Sequence, residues 1–193
     1  GYPLGHSFSK NFFNQKFQSE NINAEYVNFE IPTIGELTNI LLSNPDLCGL
    51  NVTIPYKEQV IPYLDELTPI AKELGAVNTI VRRKDGSLFG HNTDYFGFDR
   101  TLRACGVEVS GKKALILGNG GAAATAVTVL TDMGAEVVLL GRSDRSVGGL
   151  LPEPYETVYE RHPDAAVVVN CTPVGMYPRL VGQSPIDLHK LPR

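Results

Sequence analysis

The second half of the chain contains short, uninterrupted apolar runs that are separated by small and polar residues. The runs at residues 114–117, 137–140 and 165–169 are typical of strands that are buried on both faces of a parallel sheet. A helix of small residues, ended by Gly134, is predicted between the first two runs. Strand, helix and strand in this order predict a βαβ unit.

The first half mixes strand and helix periodicities. Residues 24–30 alternate between apolar and polar side chains, a helix with a capping box opens at Thr33, and residues 47–53 form the next strand. These three elements predict a second βαβ unit, and therefore a parallel sheet in this half as well. Asp85-Gly86 predicts a hairpin turn after a strand at residues 76–83.

Three further helices are predicted around these strands. One at residues 56–64 is cut short by Pro62, and one at residues 69–74 has a proline in its first turn. The third, at residues 94–105, is stopped by Gly106 and is the best candidate for a connector between two domains.

Composition and charge narrow the function classes. The 193 residues are 42% hydrophobic and 20% charged, as expected of a soluble globular protein with one or two domains. The net charge of −4 and the lack of a cluster rich in Lys and Arg argue against a nucleic-acid partner. The chain contains neither a membrane-length apolar run nor a signal peptide and is predicted to bind no membrane; its cysteine usage, described next, predicts the cytoplasm.

The cysteine and histidine side chains give no metal-binding pattern. Cys48, Cys105 and Cys171 are far apart and form no CxxC pair, which predicts neither a metal site nor a disulfide framework and fits a reducing compartment. Each cysteine is interpreted as a small buried hydrophobe. His162 is predicted to face solvent.

Polar groups follow the strand ends between residues 51 and 94. Lys57 and Asp94 are ionisable, and Thr53 and Asn78 add hydroxyl and amide groups. Because strand ends in an open α/β sheet face a common crevice, these side chains are predicted to converge for acid–base work on a polyhydroxylated molecule. In the alternative interpretation, Lys57 begins a solvated helix and Asp94 is the N-cap of the next one.

Two serines precede an aromatic-rich helix near the start of the chain. Ser9 is predicted as the N-cap of this helix. Ser7 and Ser9 together also place two hydroxyls beside a helix N-terminus, which is an arrangement that suits a carboxylate.

A glycine loop follows directly after the first apolar run of the second half. It comprises Gly118, Gly120, Gly121, Ala122 and Ala123. In its strand–loop–helix context this loop predicts a dinucleotide site, because glycines permit a tight turn and close approach of a pyrophosphate.

The end of the next run distinguishes two nicotinamide cofactors. An NAD enzyme usually has an acidic residue there, whereas this chain has Arg142 and Ser143. A guanidinium offers several donors to a 2′-phosphate, so NADP is the predicted cofactor. In the alternative interpretation, Arg142 only solvates the strand end.

These motifs occur in one order along nearly the whole chain, and together they resemble the shikimate dehydrogenase family (shikimate/quinate dehydrogenases). They are Ser7-x-Ser9, the Asn-Val-Thr-x-Pro-x-Lys run that ends at Lys57, Ala-Val-Asn-Thr around Asn78, Asn-Thr-Asp ending at Asp94, and the glycine loop. The resemblance implies an α/β fold with two domains. A substrate-binding α/β domain would span residues 1–93, a connecting helix 94–106, and an NADP-binding, Rossmann-type domain with a parallel sheet 107–193.

The resemblance also implies an activity, the reversible NADPH-dependent reduction of 3-dehydroshikimate to shikimate in aromatic amino acid (chorismate) biosynthesis. Lys57 and Asp94 would be catalytic, and which of them carries the proton is left open. The implied binding residues are Ser7 and Ser9 for the carboxylate, Asn51, Thr53 and Asn78 for ring hydroxyls, and Thr172 and Met176 near the nicotinamide. Met176 fits a core position equally well.

The chain departs from the family pattern at three places. Gly141 stands where the family commonly has Asn, and the sequence is expected to lack both its true beginning and the C-terminal part of the nucleotide domain. Alternatives are a quinate/shikimate dehydrogenase that uses NAD, a folate-type methylene dehydrogenase, and a non-catalytic relative that senses its ligands. A monomer or a homodimer is expected, with a small molecule as the partner.

Overall fold

The computed structural model describes residues 1–5, 7–177 and 180–191. The chain divides into two compact units, Gly1–His91 and Asn92–Arg193. The assignment of functions to domains divided at residues 93 and 106 stays a prediction.

The first unit is built on a mixed sheet. Its elements are α1 (Ser9–Ser19), α2 (Leu37–Ser43), β1 (Gly49–Asn51), β2 (Glu66–Leu67), α3 (Pro69–Leu74), β3 (Thr79–Arg82) and β4 (Leu88–His91), with 3-10 turns at Ile34–Glu36 and Ile61–Tyr63. The strand order is β1-β3-β4-β2. β3 is antiparallel to both β1 and β4, whereas β2 runs parallel to β4. The parallel sheet predicted for this half is therefore wrong.

Residues 24–30 form no strand, so the strand predicted there is wrong. The Tyr26 N–H donates to Asn14 Oδ1 at 2.7 Å, and the Tyr26 carbonyl accepts from Asn14 Nδ2 at 3.0 Å. A side chain of α1 thus satisfies the main-chain groups that a neighbouring strand would otherwise pair.

The hairpin and α3 are confirmed, and the helix predicted at residues 56–64 is wrong. Gly86 has φ +89° in the turn between β3 and β4. Thr68 caps α3 by accepting from the Ala71 N–H at 3.3 Å, and Gly75 ends it in a left-handed conformation. In place of the longer helix the structure has turns and the short Ile61–Tyr63 segment, because Pro62 limits helical hydrogen bonding.

The second unit contains the predicted parallel sheet. Its elements are α4 (Asp94–Ala104), β5 (Lys113–Leu117), α5 (Gly121–Asp132), β6 (Glu136–Leu140), α6 (Val158–Arg161) and β7 (Val167–Asn170), with 3-10 turns at Tyr155–Thr157 and Leu188–Lys190. β6 and β7 pair with β5 on opposite sides, and all three run parallel. The chain therefore reverses its direction of winding at β5, and such a switch point is where open α/β sheets bind ligands.

The central strand β5 belongs to two separate hydrophobic clusters. Ala114 and Ile116 pack in one cluster with α4 and α5, whereas Leu115 and Leu117 pack in the other with α6. Each of these side chains is at most 1% exposed. The Tyr95 hydroxyl also donates to a carboxylate oxygen of Asp132 at 2.6 Å, which ties α4 to α5.

Two further expectations are corrected by the structure. Cys48 and Cys105 are exposed, and Cys171 is only partly buried, so the interpretation of all three as buried hydrophobes is wrong. His162 is 8% exposed, and its Nε2 lies 3.2 Å from Glu153 Oε2, so the prediction that it faces solvent is also wrong. Among the described residues, no helix has the length and apolar character to cross a membrane.

Candidate functional site

Two of the sequence motifs, and the residue that precedes a third, lie side by side at one end of the first sheet. Asn51 at the end of β1 pairs with Thr79 at the start of β3, and Thr79 pairs with His91 at the end of β4. The Asn78 N–H donates to the His91 carbonyl at 3.1 Å. The Thr79 hydroxyl donates to Asn78 Oδ1 at 2.9 Å, which restrains the orientation of that amide. Residues that are far apart in sequence thus share one sheet edge.

The main chain fixes Lys57 beside the same edge. Its carbonyl accepts from the Val77 N–H at 2.8 Å, and the preceding residue, Tyr56, donates its N–H to the Thr53 carbonyl at 2.9 Å. The buried Tyr56 hydroxyl donates to the Ile31 carbonyl at 2.8 Å. Lys57 is half-buried and no helix begins there, so its interpretation as a solvated helix start is wrong.

The segment that carries the two serines begins next to the loop after β1. The Tyr2 N–H donates to the Ile54 carbonyl at 3.1 Å, and both Ser7 and Ser9 are half-buried. Phe8 already has a helical conformation and takes the N-cap position, so Ser9 is the first residue of α1 rather than its N-cap. The N-cap prediction is therefore wrong.

Asp94 is likewise the first residue of its helix and not its cap. Asn92, which is 1% exposed, accepts from the Asp94 N–H through Oδ1 at 2.9 Å. Thr93 takes the N-cap position of α4, so the interpretation of Asp94 as the N-cap is wrong. The half-buried Asp94 carboxylate lies at the start of α4, shortly after the end of β4 in sequence.

The glycine loop forms a tight bend between β5 and α5. Gly118 has φ +100°, and a Cβ there would lie 2.7 Å from Thr172 Cγ2. By contrast, a Cβ at Gly120 or Gly121 would meet no atom within 4 Å. Open space beside the first turn of a helix suits a pyrophosphate, so these residues fit a dinucleotide. Ala123 is fully buried in the core and leaves contact with a ligand to its neighbours, including the exposed Ala122.

One residue of this bend connects it to the loop after β6, and the sequence motif did not identify it. Asn119 Nδ2 lies 2.9 Å from the Ser143 carbonyl, 2.9 Å from Ser143 Oγ and 3.0 Å from the Arg145 carbonyl. Arg142 and Ser143 are exposed. The two loops that are predicted to hold a nucleotide are therefore linked by one carboxamide.

The loop after β7 is organised by its own hydrogen bonds. Asn170 Oδ1 accepts from the Thr172 N–H at 3.0 Å and from its hydroxyl at 2.7 Å, and Thr172 Oγ1 accepts from the Val174 N–H at 3.1 Å. Met176 is 62% exposed, so its interpretation as a core residue is wrong. Its predicted role next to a nicotinamide stays a prediction.

Tyr155 lies near the glycine bend of the second unit, and no sequence signal pointed to it. Burial raises the pKa of its phenol above the ordinary value, whereas the nearby Arg142 guanidinium and the Gly118 main-chain amide act in the opposite direction. These neighbours place the phenol beside the glycine bend.

Cys171, directly after β7, is expected to react slowly with alkylating agents. Burial raises the pKa of its thiol from 9.0 to about 11, so at pH 8 its thiolate fraction is roughly 100-fold smaller than that of an unshifted thiol. Peptide mass spectrometry after a timed exposure to iodoacetamide should show Cys48 and Cys105 labelled first. Equal labelling of all three at early times would contradict the burial of Cys171.

The first unit and the chain as a whole are similar to known proteins. Residues 1–80 match the family model described as the shikimate dehydrogenase substrate binding domain. The chain is 40% identical to the shikimate dehydrogenase (NADP(+)) of Halothermothrix orenii over 94% of this chain and 69% of that protein.

Two solved structures have the same fold. The shikimate 5-dehydrogenase of Thermus thermophilus, solved in complex with NADP(H) and shikimate, is 31% identical with a TM-score of 0.83, and the match covers 100% of this chain and 73% of that one. The quinate dehydrogenase of Corynebacterium glutamicum in complex with NAD is 25% identical with a TM-score of 0.85, over 97% of this chain and 73% of that one.

Proposed function

The chain belongs to the shikimate dehydrogenase family, and on that basis we propose that it catalyses the reversible, NADPH-dependent reduction of 3-dehydroshikimate to shikimate. The observation that carries the proposal is the row of Asn51, Thr79 and His91 at one sheet edge. This row brings three strand ends to one end of the first sheet, where Asn51 and the neighbouring Asn78 are proposed to bind ring hydroxyls. The first unit then binds the substrate, and the second binds the cofactor.

NADPH, when bound, supplies the hydride for the carbonyl carbon. The protein supplies the groups that bind the cofactor and the substrate, and the proton. The loop from Gly118 to Ala122 holds the pyrophosphate, Arg142 and Ser143 hold the 2′-phosphate, and Thr172 and Met176 border the nicotinamide. An ionised 2′-phosphate favours Arg142 because a guanidinium offers several donors in one plane.

The substrate is held by groups that match its chemistry. Ser7 and Ser9 donate to the carboxylate, and their position next to the first turn of α1 adds free main-chain N–H groups and the positive end of the helix dipole. The side chains of Asn51, Thr53 and Asn78 bind ring hydroxyls. The Asn78 amide is already restrained by Thr79, which lowers the entropy cost of binding.

The proton for the developing alkoxide comes from Lys57 in this proposal. Its ammonium group donates to the substrate oxygen during reduction, and in the reverse direction the neutral amine accepts the proton from the alcohol. Asp94 orients the same hydroxyl or shares its proton.

The decisive assay compares two acids and two nucleotides. We expect NADPH oxidation with 3-dehydroshikimate, NADP+ reduction with shikimate, and lower kcat/KM with NADH. A preference for quinate with NAD would favour the alternative suggested by the likeness to the Corynebacterium glutamicum enzyme. Ligand binding without any turnover would favour the non-catalytic alternative.

Replacing Arg142 with alanine is expected to change cofactor preference. Loss of a charge-assisted hydrogen bond to the 2′-phosphate should reduce kcat/KM for NADPH roughly 10- to 100-fold, whereas NADH, which lacks this phosphate, should be little affected. Steady-state kinetics with both nucleotides measure this. Arg100→Ala, on the exposed side of α4, is the matched control, and equal losses for both nucleotides in R142A would contradict the assignment.

The proposal also covers the cellular compartment and the oligomeric state of the protein. Free cysteines at Cys48, Cys105 and Cys171 fit a reducing cytoplasm, and we place the protein there as a monomer or a homodimer. Light scattering coupled to size-exclusion chromatography distinguishes these two states.

A further inference from the structure

The carboxamide of Asn119 makes more contacts to the neighbouring loop than any motif requires. Two of its partners are the main-chain carbonyls of Ser143 and Arg145, at 2.9 and 3.0 Å. Carbonyls only accept hydrogen bonds, so the nitrogen of the amide must face them. An NH2 group has two hydrogens, and each can be directed to one carbonyl.

Gly141 provides the space for this carboxamide. A Cβ at position 141 would lie 3.0 Å from Asn119 Cγ, 3.1 Å from Asn119 Nδ2 and 3.1 Å from Pro152 Cβ. Real Cβ contacts are rarely this short, so a side chain at 141 would press on the Asn119 amide and require it to shift by a few tenths of an ångström. Gly141 does not have a positive φ. Position 141 therefore needs the absence of a side chain and not an unusual backbone conformation.

We propose that Asn119 is a positioning residue for nucleotide selectivity and that Gly141 is its required partner. Asn119 holds the main chain of residues 143–145, and this backbone in turn presents Arg142 to a 2′-phosphate. The inference rests on the proposed function in one respect, the use of Arg142 to bind NADP. The tether itself depends only on the hydrogen bonds and on the space at Gly141.

The expected consequence is that loss of the tether changes the affinity for NADP+ and not the affinity for NAD+. When the loop is untethered, part of the binding free energy is spent on ordering Arg142, so affinity for NADP+ falls. NAD+ has no 2′-phosphate and gains little from an ordered Arg142. A general defect of the glycine bend would instead weaken both nucleotides, because both carry the same pyrophosphate.

The test combines Asn119→Ala, Gly141→Ala and the double variant with fluorescence titration of NADP+ and NAD+. We expect N119A to raise the Kd for NADP+ roughly 10-fold, as for the loss of two hydrogen bonds, and the Kd for NAD+ less than about 2-fold. G141A should change both Kd values in the same direction but less than N119A, since its Cβ presses on the carboxamide and lengthens its hydrogen bonds without removing them. The double variant should be no worse than N119A, because its tether is already absent. Equal losses for both nucleotides, no loss, or additive losses in the double variant would overturn the inference.

Hydrogen exchange without nucleotide separates this inference from the proposed function. The hydrogen-bonded amides on either side of this segment are those of Gly141, which donates to the Glu153 carbonyl, and of Val147, which donates to the Leu150 carbonyl. They should exchange faster in N119A and in G141A than in the wild type, while those of β5 are unchanged. If exchange increases but the wild type does not prefer NADP+ over NAD+, the proposed cofactor is wrong and the tether stands. If exchange is unchanged, the tether is wrong whichever nucleotide is preferred. G141A reaches the same contact from the opposite side, so the test does not depend on the folding of N119A alone.

Discussion

Replacing Lys57 with alanine is expected to lower kcat for 3-dehydroshikimate reduction by about 10²- to 10⁴-fold, the usual contribution of a positioned general acid. The main chain of Lys57 is held by the Val77 N–H at 2.8 Å, so the loop should persist when the side chain is shortened. KM should change much less than kcat, because in this proposal Lys57 acts on the reacting oxygen rather than on the carboxylate or the ring hydroxyls. Stopped-flow single-turnover measurements with saturating NADPH isolate the chemical step from product release.

Lys72→Ala is the matched control for this loss. Lys72 is exposed on α3, within the same unit, and its removal should leave kcat unchanged. Asp94→Asn separates the two candidate groups, since it keeps the size of the side chain and removes its charge. If K57A retains wild-type kcat while D94N loses it, the proton is carried by Asp94 and the role given to Lys57 is wrong.

The second large effect is expected at Gly118, the first residue of the glycine bend. Its φ of +100° is unfavourable for a residue with a side chain, and such strain costs about 1–3 kcal/mol. The added Cβ would also lie 2.7 Å from Thr172 Cγ2. Thr172 cannot easily move away, because Asn170 and Val174 both bond to its hydroxyl. In Gly118→Ala we expect a lower unfolding free energy and a Kd for NADP+ that rises roughly 10- to 100-fold.

Gly111→Ala controls for strain alone. Gly111 has φ +68° but open space around its Cβ position, so this change should lower the unfolding free energy and leave the Kd for NADP+ unchanged. Chemical denaturation and fluorescence titration measure the two quantities separately. Identical behaviour of G111A and G118A would show that the bend has no special part in nucleotide binding.

The second unit was predictable because its signals are local. Continuous apolar runs predicted β5, β6 and β7 and their parallel arrangement, and the glycines that follow β5 and α5 predicted where each element ends. A buried strand between helices needs little information from elsewhere in the chain. The site roles of Lys57 and Asp94 stay predictions, because they depend on a substrate and not on local chain geometry.

The first unit was harder to predict because distant groups decide its pairing. The pattern at residues 24–30 predicted a strand, but a side chain of α1, Asn14, takes the place of a strand partner at Tyr26. Similarly, His162 in the second unit is buried against Glu153, and this contact exists only once β6 and α6 have assembled. Asn119 was overlooked for the same reason, since its partners lie in a loop that comes much later in the sequence.

The double-sided burial of β5 has a consequence for how the second unit loses its structure. Ala114 and Ile116 serve one cluster and Leu115 and Leu117 the other, so neither cluster can dissolve while the strand between them remains ordered. Melting of the two sides is therefore coupled into one cooperative event. A substitution that destabilises the cluster on the α6 side would therefore also destabilise the cluster on the α5 side through this strand. The bend where the nucleotide is proposed to bind would be destabilised as well.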